Sequence, residues 1–515
     1  PASRRTLDLV FSTNKNFIQA CHVVPGISDH DAILFEIDVS PKFTVKPPRK
    51  VLQHHKGDYD GIRSNMASFA NSYLTSSPEN RTVDENWTII SDAIKSAVHR
   101  FIPSKIAKGK RHLPWISPAI KRLMNRRDRA YKKAKRTGKS QHLNAYKRLR
   151  NNTTKRIRET HSRYLDEVMR GIDPNPNQAG TITGVKKAWS YLKLLRKEST
   201  GIPTLFWNKC VCASDQSKAE ALREQYESVF TREDLTNVPD LPDSPYGDID
   251  DINFSAQGIQ KQLEAIRPDK ACGPDEVPAR VLKEAASELA CVLTSLFQQS
   301  FDTGILPSAW KDANVTAIFK SGQRTDPKNY RPVSLTSLTS KVMEHVVCKQ
   351  ICSHLSANSA IYCDQHGFRK GLSCETQLVS VIHEWANVLN SHGQVDVIFL
   401  DFAKAFDSVP YNRLLAKAEF YGIRGKLLAW LRDFLMGRRQ RVVVNGSSSD
   451  WSPVLSGVPQ GTVLGPILFL MFINDLPSGL SSSVKLFADD SVLFRQIQSP
   501  ADHHILQQDL FRLEK

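Results

Sequence analysis

Val484-Lys485-Leu486-Phe487-Ala488-Asp489-Asp490-Ser491-Val492-Leu493-Phe494 reads as two apolar runs, Val484 to Phe487 and Ser491 to Phe494, meeting at an acidic tip. Short apolar runs on either side of a turn predict a hairpin. The tip is chemically odd. Adjacent carboxylates repel, and a tight hairpin turn is better served by Asn-Gly than by two Asp. A divalent cation would offset the repulsion. A further ligand candidate is Asp401, at the end of the strand run Val395-Asp396-Val397-Ile398-Phe399-Leu400. A strand end beside a hairpin tip brings Asp401 and Asp489 together across the chain. Carboxylates with open coordination positions favour Mg²⁺, which keeps waters and substrate phosphates. Two such ions suit in-line phosphoryl transfer, one activating the attacking hydroxyl and one steadying the leaving oxygen. An Asp-Asp turn alone is an ordinary surface feature; its neighbours give it meaning.

Working outward, Ser255 reads as the N-cap of a helix with Ile259, Leu263 and Ile266 on one face. Ala279 to Phe301 reads as one helix, with Leu282, Ala285, Leu289, Val292, Leu293, Leu296 and Phe297 inward and Gly304 past its end. Ala313 to Phe319 reads as a short strand. Glu375 to Ser391 reads as a helix with Leu378, Ile382, Trp385 and Leu389 inward. Trp430, Leu431 and Phe434 form the core face of a helix ending at Gly437, and Arg438-Arg439-Gln440-Arg441 beyond it is left to phosphate or solvent. Helices interleaved with antiparallel-looking strands predict an α+β fold.

The 515 residues carry 70 Lys/Arg against 53 Asp/Glu, a net charge of +17. Residues 105 to 170 hold 22 Lys/Arg and 4 Asp/Glu, leaving 48 against 49 elsewhere. The excess therefore belongs to one segment. Ser117-Pro118 starts a helix there, and Thr137-Gly138 interrupts it. We expect a basic helical arm gripping nucleic-acid phosphates. Upstream, residues 1 to 40 read as the end of a domain with strands at Leu7 to Phe11 and Ala32 to Ile37. Residues 41 to 104 read as a linker and a small helical region, and 171 to 254 as a linker region with helices. The composition, 40% hydrophobic and 24% charged, excludes wholesale disorder. No apolar run is long enough to span a bilayer, no secretory leader opens the chain, and a first residue other than Met suggests a fragment. Nine scattered Cys without a CxxC pair suit free thiols. His345, Cys348 and Cys352 share a helical face and read as core; Cys210-Val211-Cys212 reads as strand.

Three segments give the acidic tip its context: Phe399-Leu400-Asp401-Phe402-Ala403-Lys404-Ala405-Phe406-Asp407, Ser456-Gly457-Val458-Pro459-Gln460-Gly461-Thr462-Val463-Leu464-Gly465-Pro466 and Phe487-Ala488-Asp489-Asp490. In this order they resemble the palm motifs of reverse transcriptases. Upstream, Lys270-Ala271-Cys272-Gly273-Pro274-Asp275, Asn329-Tyr330-Arg331-Pro332-Val333-Ser334-Leu335 and His366-Gly367-Phe368-Arg369-Lys370-Gly371 resemble segments of the non-LTR, LINE-type retrotransposon enzymes, jockey-like among them. One departure is Glu276, where that family often has Gly.

The resemblance, dense over residues 255 to 515, implies right-hand fingers and palm, with the thumb lying beyond Lys515. It implies that Asp401, Asp489, Asp490 and the Phe402 carbonyl serve two Mg²⁺ ions, or Mn²⁺. Phe406 would be the steric gate against a 2′-OH. Gln460 and Gly461 would meet the incoming nucleotide, Lys320 and Arg331 would clamp its triphosphate, and Arg369 would touch the template. The activity implied is RNA-directed DNA polymerisation from a DNA primer or target with dNTPs on template RNA, as in target-primed reverse transcription, weak in this chain alone. The setting implied is a nuclear and cytoplasmic ribonucleoprotein. Alternatives are an RNA-directed RNA polymerase, against which Phe406 argues, and a decayed or co-opted nucleic-acid-binding remnant, against which the intact acidic residues argue. Ser28-Asp29-His30, with Asp8 upstream, resembles the end of the apurinic-type endonuclease domain of the same elements. There His30 would orient a phosphate, Asp8 buttress it and Asp29 help activate water; some forty residues cannot build that domain's core, so we expect no independent nicking.

Overall fold

The computed structural model describes residues 18–24, 32–37, 49–107, 113–170, 189, 191–192, 201–236 and 241–514. The chain divides into two compact units, residues 1–48 and 49–515. In the first, Ile18–Val24 pairs antiparallel with Ala32–Ile37. Ala32–Ile37 is the strand its apolar run foretells. Its partner escapes a reading by apolar runs because Gln19, Cys21 and His22 interrupt it. Leu7 to Phe11 and the candidates Asp8, Asp29 and His30 lie outside the described residues.

The second unit mixes helices and sheets around a helical core. Helix Ala286–Thr303 packs against Ala256–Ala265, Tyr59–Thr75, Val83–Phe101 and Gly425–Leu435. The Ser255 side chain accepts from Gly258 N–H at 3.2 Å, capping the first of these as its sequence foretells. A capping box at Thr82 and Glu85 starts Val83–Phe101. Trp310 and Trp430 are fully buried, and Trp87 meets Trp310 edge-on at 5.2 Å. The single helix expected from Ala279 to Phe301 is two, Ala279–Glu284 and Ala286–Thr303, parting at Ala285 (φ −107°, ψ 31°). No Gly or Pro marks the break. Leu282 and Leu289, on either side of it, are both fully buried in the same core.

The basic segment forms helices Pro118–Thr137 and Ser140–Arg170, which pack together with Gly138 (φ +60°) between them. Ile120, Ala134 and Tyr146 close the seam, and most Lys/Arg of the pair face solvent.

Two further expectations change. Helix Cys374–Asn390 buries Gln377 and Val381, while Leu378, Ile382 and Leu389 are more than half exposed. Trp385 alone of the expected inward set turns to the neighbouring sheet, edge-on to Phe494. Helical periodicity identified an apolar stripe, but the helix rests on its sheet through the adjacent face. Arg438 is buried, not free for phosphate. Its guanidinium donates to the Phe434 carbonyl at 2.9 Å, and burial lowers its pKa. The reason is the following strand, Arg439–Val444, which lies inside a sheet, parallel to Asp312–Phe319. There Arg439 pairs with Asp312 at 2.8 Å. Among the described residues no helix is long and apolar enough to cross a membrane.

Candidate active site

Three strands, in the order Ser483–Phe487, Asp490–Ile497 and Gln394–Leu400, form an antiparallel sheet. Phe487 pairs with Asp490, so Ala488 and Asp489 are the hairpin's loop. Leu400 pairs with Ser491, which sets Asp401, the next residue, beside the hairpin tip. Non-consecutive strands thus deliver the carboxylates to one sheet end.

A second sheet supplies cations. Asp312–Phe319 and Tyr330–Leu335 are antiparallel partners, with Phe319 opposite Tyr330 and Ile318 opposite Arg331. Lys320 N–H donates to the Asn329 carbonyl at 2.9 Å and closes the loop between them. Lys320, Arg331, Asp401, Phe402, Phe406, Gln460, Gly461, Asp489 and Asp490 line one cavity of about 700 Å³. That is the size range of small-molecule and cofactor sites.

The third wall is the turn around Gln460. Gly457 (φ +90°) and Gly461 (φ +109°) occupy backbone conformations that favour glycine. A Cβ on Gly457 would stand 2.6 Å from the Phe406 carbonyl oxygen, and one on Gly461 would stand 2.7 Å from that of Ser334. The turn is fastened on both sides. Ser334 N–H donates to the Gln460 carbonyl at 3.0 Å, and the Gln460 side-chain amide donates to Asp407 at 3.0 Å. Burial raises the Asp407 pKa, with Lys404 and the Gln460 amide opposing. Phe406 stacks on Phe469 at 4.3 Å between centroids and meets Phe368 edge-on at 6.1 Å. Its ring is both cavity wall and an extension of the core.

Sequence reasoning missed Glu344. It is fully buried within helix Leu338–Ala357 and accepts from Val463 N–H at 2.6 Å and from the Ser340 hydroxyl at 3.1 Å. It thereby anchors the residues just after Gln460-Gly461. The signal was a lone carboxylate on the core face of Met343 and Val347.

Arg369 stands apart from the cavity residues. Its guanidinium donates to the carbonyls of Tyr362, Cys363 and Gln365 at 3.0, 3.3 and 3.2 Å. Glu276, where glycine was the expected residue, has φ +59°. The face read as core is not buried: His345 and Cys352 are exposed and Cys348 is half-buried, with the two Sγ atoms 3.9 Å apart on the helix that carries Glu344. Cys210–Cys212 is a strand paired with Leu205–Trp207.

Electrostatics single out Asp489. It is half-buried, and its pKa is raised first by that burial and further by Asp490 and Asp401, with Arg331 opposing. A cation would relieve this repulsion. Among the described residues, no three His, Cys, Asp or Glu side chains converge to hold a metal ion. The expected trio therefore lines the cavity without closing into a three-carboxylate cluster. An ion held there by fewer carboxylates would keep the open positions that Mg²⁺ fills with water and phosphate.

Residues 318–513 match the family model described as reverse transcriptase (RNA-dependent DNA polymerase). The chain is 25% identical over 493 residues to the RNA-directed DNA polymerase from mobile element jockey of Drosophila melanogaster, covering 92% of this chain and 52% of that protein. The corresponding jockey protein of Drosophila funebris is 23% identical over 90% of this chain and 51% of its own length. A probable RNA-directed DNA polymerase from transposon X-element of Drosophila melanogaster is 27% identical over 59% of this chain and 35% of that protein. The chain thus spans about half the length of the jockey relatives. These names do not favour the RNA-polymerase alternative. The acidic hairpin, the glycine-framed turn and the Lys320–Arg331 hairpin around one cavity thus lie in the stretch that matches the reverse transcriptase model, and the chain is similar to the polymerases of jockey-like, non-LTR elements.

Proposed function

We propose that the chain polymerises dNTPs onto a DNA primer 3′-OH on an RNA template. The observation that carries this reading is the meeting of Asp401 and Asp489 with Lys320, Arg331, Phe406 and Gln460 around one cavity. In right-hand terms, the sheet bearing the acidic hairpin is the palm and the Lys320–Arg331 hairpin belongs to the fingers.

Asp401 and Asp489, with the Phe402 carbonyl and support from Asp490, would hold Mg²⁺. The bound ions supply the Lewis acidity for attack of the 3′-OH on the α-phosphate and for departure of pyrophosphate. The chain's residues do the positioning. Lys320 and Arg331, which line the same cavity as the carboxylates, would meet the triphosphate and match its charge. Phe406, braced by Phe469, offers a rigid ring under the sugar, where a 2′-OH would clash. Gln460, held by Asp407 and by the strand at Ser334, presents a fixed backbone surface to the nucleotide. The strong charge of Pro118–Arg170 suits template phosphates. Arg369, by ordering the loop that carries Phe368 into the cavity wall, would act on the template through that loop.

The reading is tested by offering the chain a primed RNA template with dNTPs or rNTPs. dNTP-selective extension is the expected result, and equal use of rNTPs would exclude the role given to Phe406.

A further inference from the structure

The acidic tip is held from outside its own hairpin. Segment 364–367 runs alongside Ser483–Phe487: Leu486 N–H donates to the Asp364 carbonyl at 3.1 Å, and His366 N–H donates to the Leu486 carbonyl at 2.9 Å. Between these bonds the Gln365 side chain, 1% exposed, reaches the loop. Its Oε1 accepts from Ala488 N–H at 2.9 Å and from Gly367 N–H at 2.8 Å, and its Nε2 donates to the Ala488 carbonyl at 3.4 Å. One primary amide satisfies both backbone groups of the residue before Asp489.

Ala488 needs such a clamp. It is buried, lacks glycine's freedom and stands at φ +59°. A left-handed backbone costs a non-glycine residue about 1–2 kcal/mol and persists only where its surroundings fix it. The approach is close on both sides. A Cβ on Gly367 would stand 2.3 Å from the Ala488 nitrogen, so glycine is required there. Arg369 completes the arrangement from behind by binding the Gln365 carbonyl.

We propose that Gln365 is a positioning residue for the metal site, fixing the Ala488 peptide so that the Asp489 carboxylate faces Asp401. The inference rests on the polymerase reading above. Gln365 touches no reacting atom. It acts through a backbone that the hairpin's own strand pairing leaves unbonded at the loop. Glutamine suits the task because it accepts and donates at once. Methionine has the length but neither function, and asparagine is one methylene too short to span the loop.

The test uses Mn²⁺ as probe, titrated into the 515-residue chain with free ion read by electron paramagnetic resonance, beside thermal melts of each variant. Asp489→Ala is expected to lose the tight binding. Gln365→Met and Gln365→Asn are expected to weaken it about tenfold, as the loss of groups that orient metal ligands does, while keeping a cooperative melt. Amide hydrogen exchange in the peptide around Ala488 is expected to accelerate in both. Wild-type Mn²⁺ affinity in a folded Gln365→Met or Gln365→Asn chain, with Asp489→Ala defective, overturns the positioning role and leaves the metal site standing. Wild-type affinity in Asp489→Ala overturns the metal site itself, and the positioning role with it.

Discussion

Leu400 of one strand pairs with Ser491 of another, and this single register sets Asp401 at the tip that carries Asp489 and Asp490. A slip by one residue would turn the alternating side chains to the other face and separate the carboxylates. The catalytic arrangement proposed here is thus a property of strand pairing, and its electrostatic cost sits on Asp489.

That cost gives a pH prediction. The Asp489 pKa is raised in the fold, so between its ordinary value and its folded value the native state holds more protons than the unfolded one. Its contribution to stability therefore falls as pH rises through that window. Without divalent cation, Asp489→Asn is expected to melt higher than wild type at pH 7 and alike at pH 3. A lower melt at pH 7 would contradict the repulsion. Added Mg²⁺ is expected to raise the wild-type melt and leave that of Asp489→Asn unchanged.

Phe406 serves both the cavity and the core. Phe406→Val is expected to raise rNTP incorporation relative to dNTP and, through the lost stacking on Phe469, to cost about 2 kcal/mol of stability. Competition assays with paired nucleotides and urea unfolding read the two effects separately. Unchanged sugar selectivity in the destabilised variant would assign Phe406 to the core alone.

Glu344 anchors the turn after Gln460-Gly461. Glu344→Ala strands the Val463 N–H it accepts and is expected to cost about 3 kcal/mol in urea unfolding. Glu344→Gln keeps an acceptor and is expected to cost less. Equal, small losses would mean that the turn holds without it.

Arg122, Arg126, Arg129 and Lys132 are exposed on Pro118–Thr137. Replacing all four by Gln is expected to weaken RNA binding and to lower the salt slope, by about 0.7 for each phosphate no longer neutralised. Filter binding across a salt series measures this. An unchanged slope would place the RNA elsewhere.

Much of this was legible in the sequence, for identifiable reasons. The acidic hairpin, the Ser255 cap and the break at Gly138 each carry local signals, namely apolar runs, a capping side chain and glycine, whereas Lys320 and Arg331 were reached only through the family resemblance. Local signals end where tertiary packing decides. The break at Ala285 has no sequence mark. Leu378 and Ile382 fit a buried stripe by period, yet the helix lies on the face of Val381. Arg438 looked like part of a basic run and is buried because its neighbours form an inner strand. Glu344 and Gln365 were passed over because their hydrogen-bond partners lie far along the chain, at Val463 and Ala488. Polar residues that shape the site from behind have no local pattern of their own.

The central claim is template-directed polymerisation at Asp401 and Asp489. Its most direct test is incorporation of labelled dNTP opposite a defined RNA template, with Mg²⁺, by a polypeptide containing residues 1–515 and by its Asp401→Ala and Asp489→Ala variants. The account predicts incorporation that follows the template sequence, requires the divalent cation and falls by at least about a thousandfold in either variant, the loss of metal-assisted catalysis. Incorporation by Asp489→Ala at the wild-type rate would contradict it.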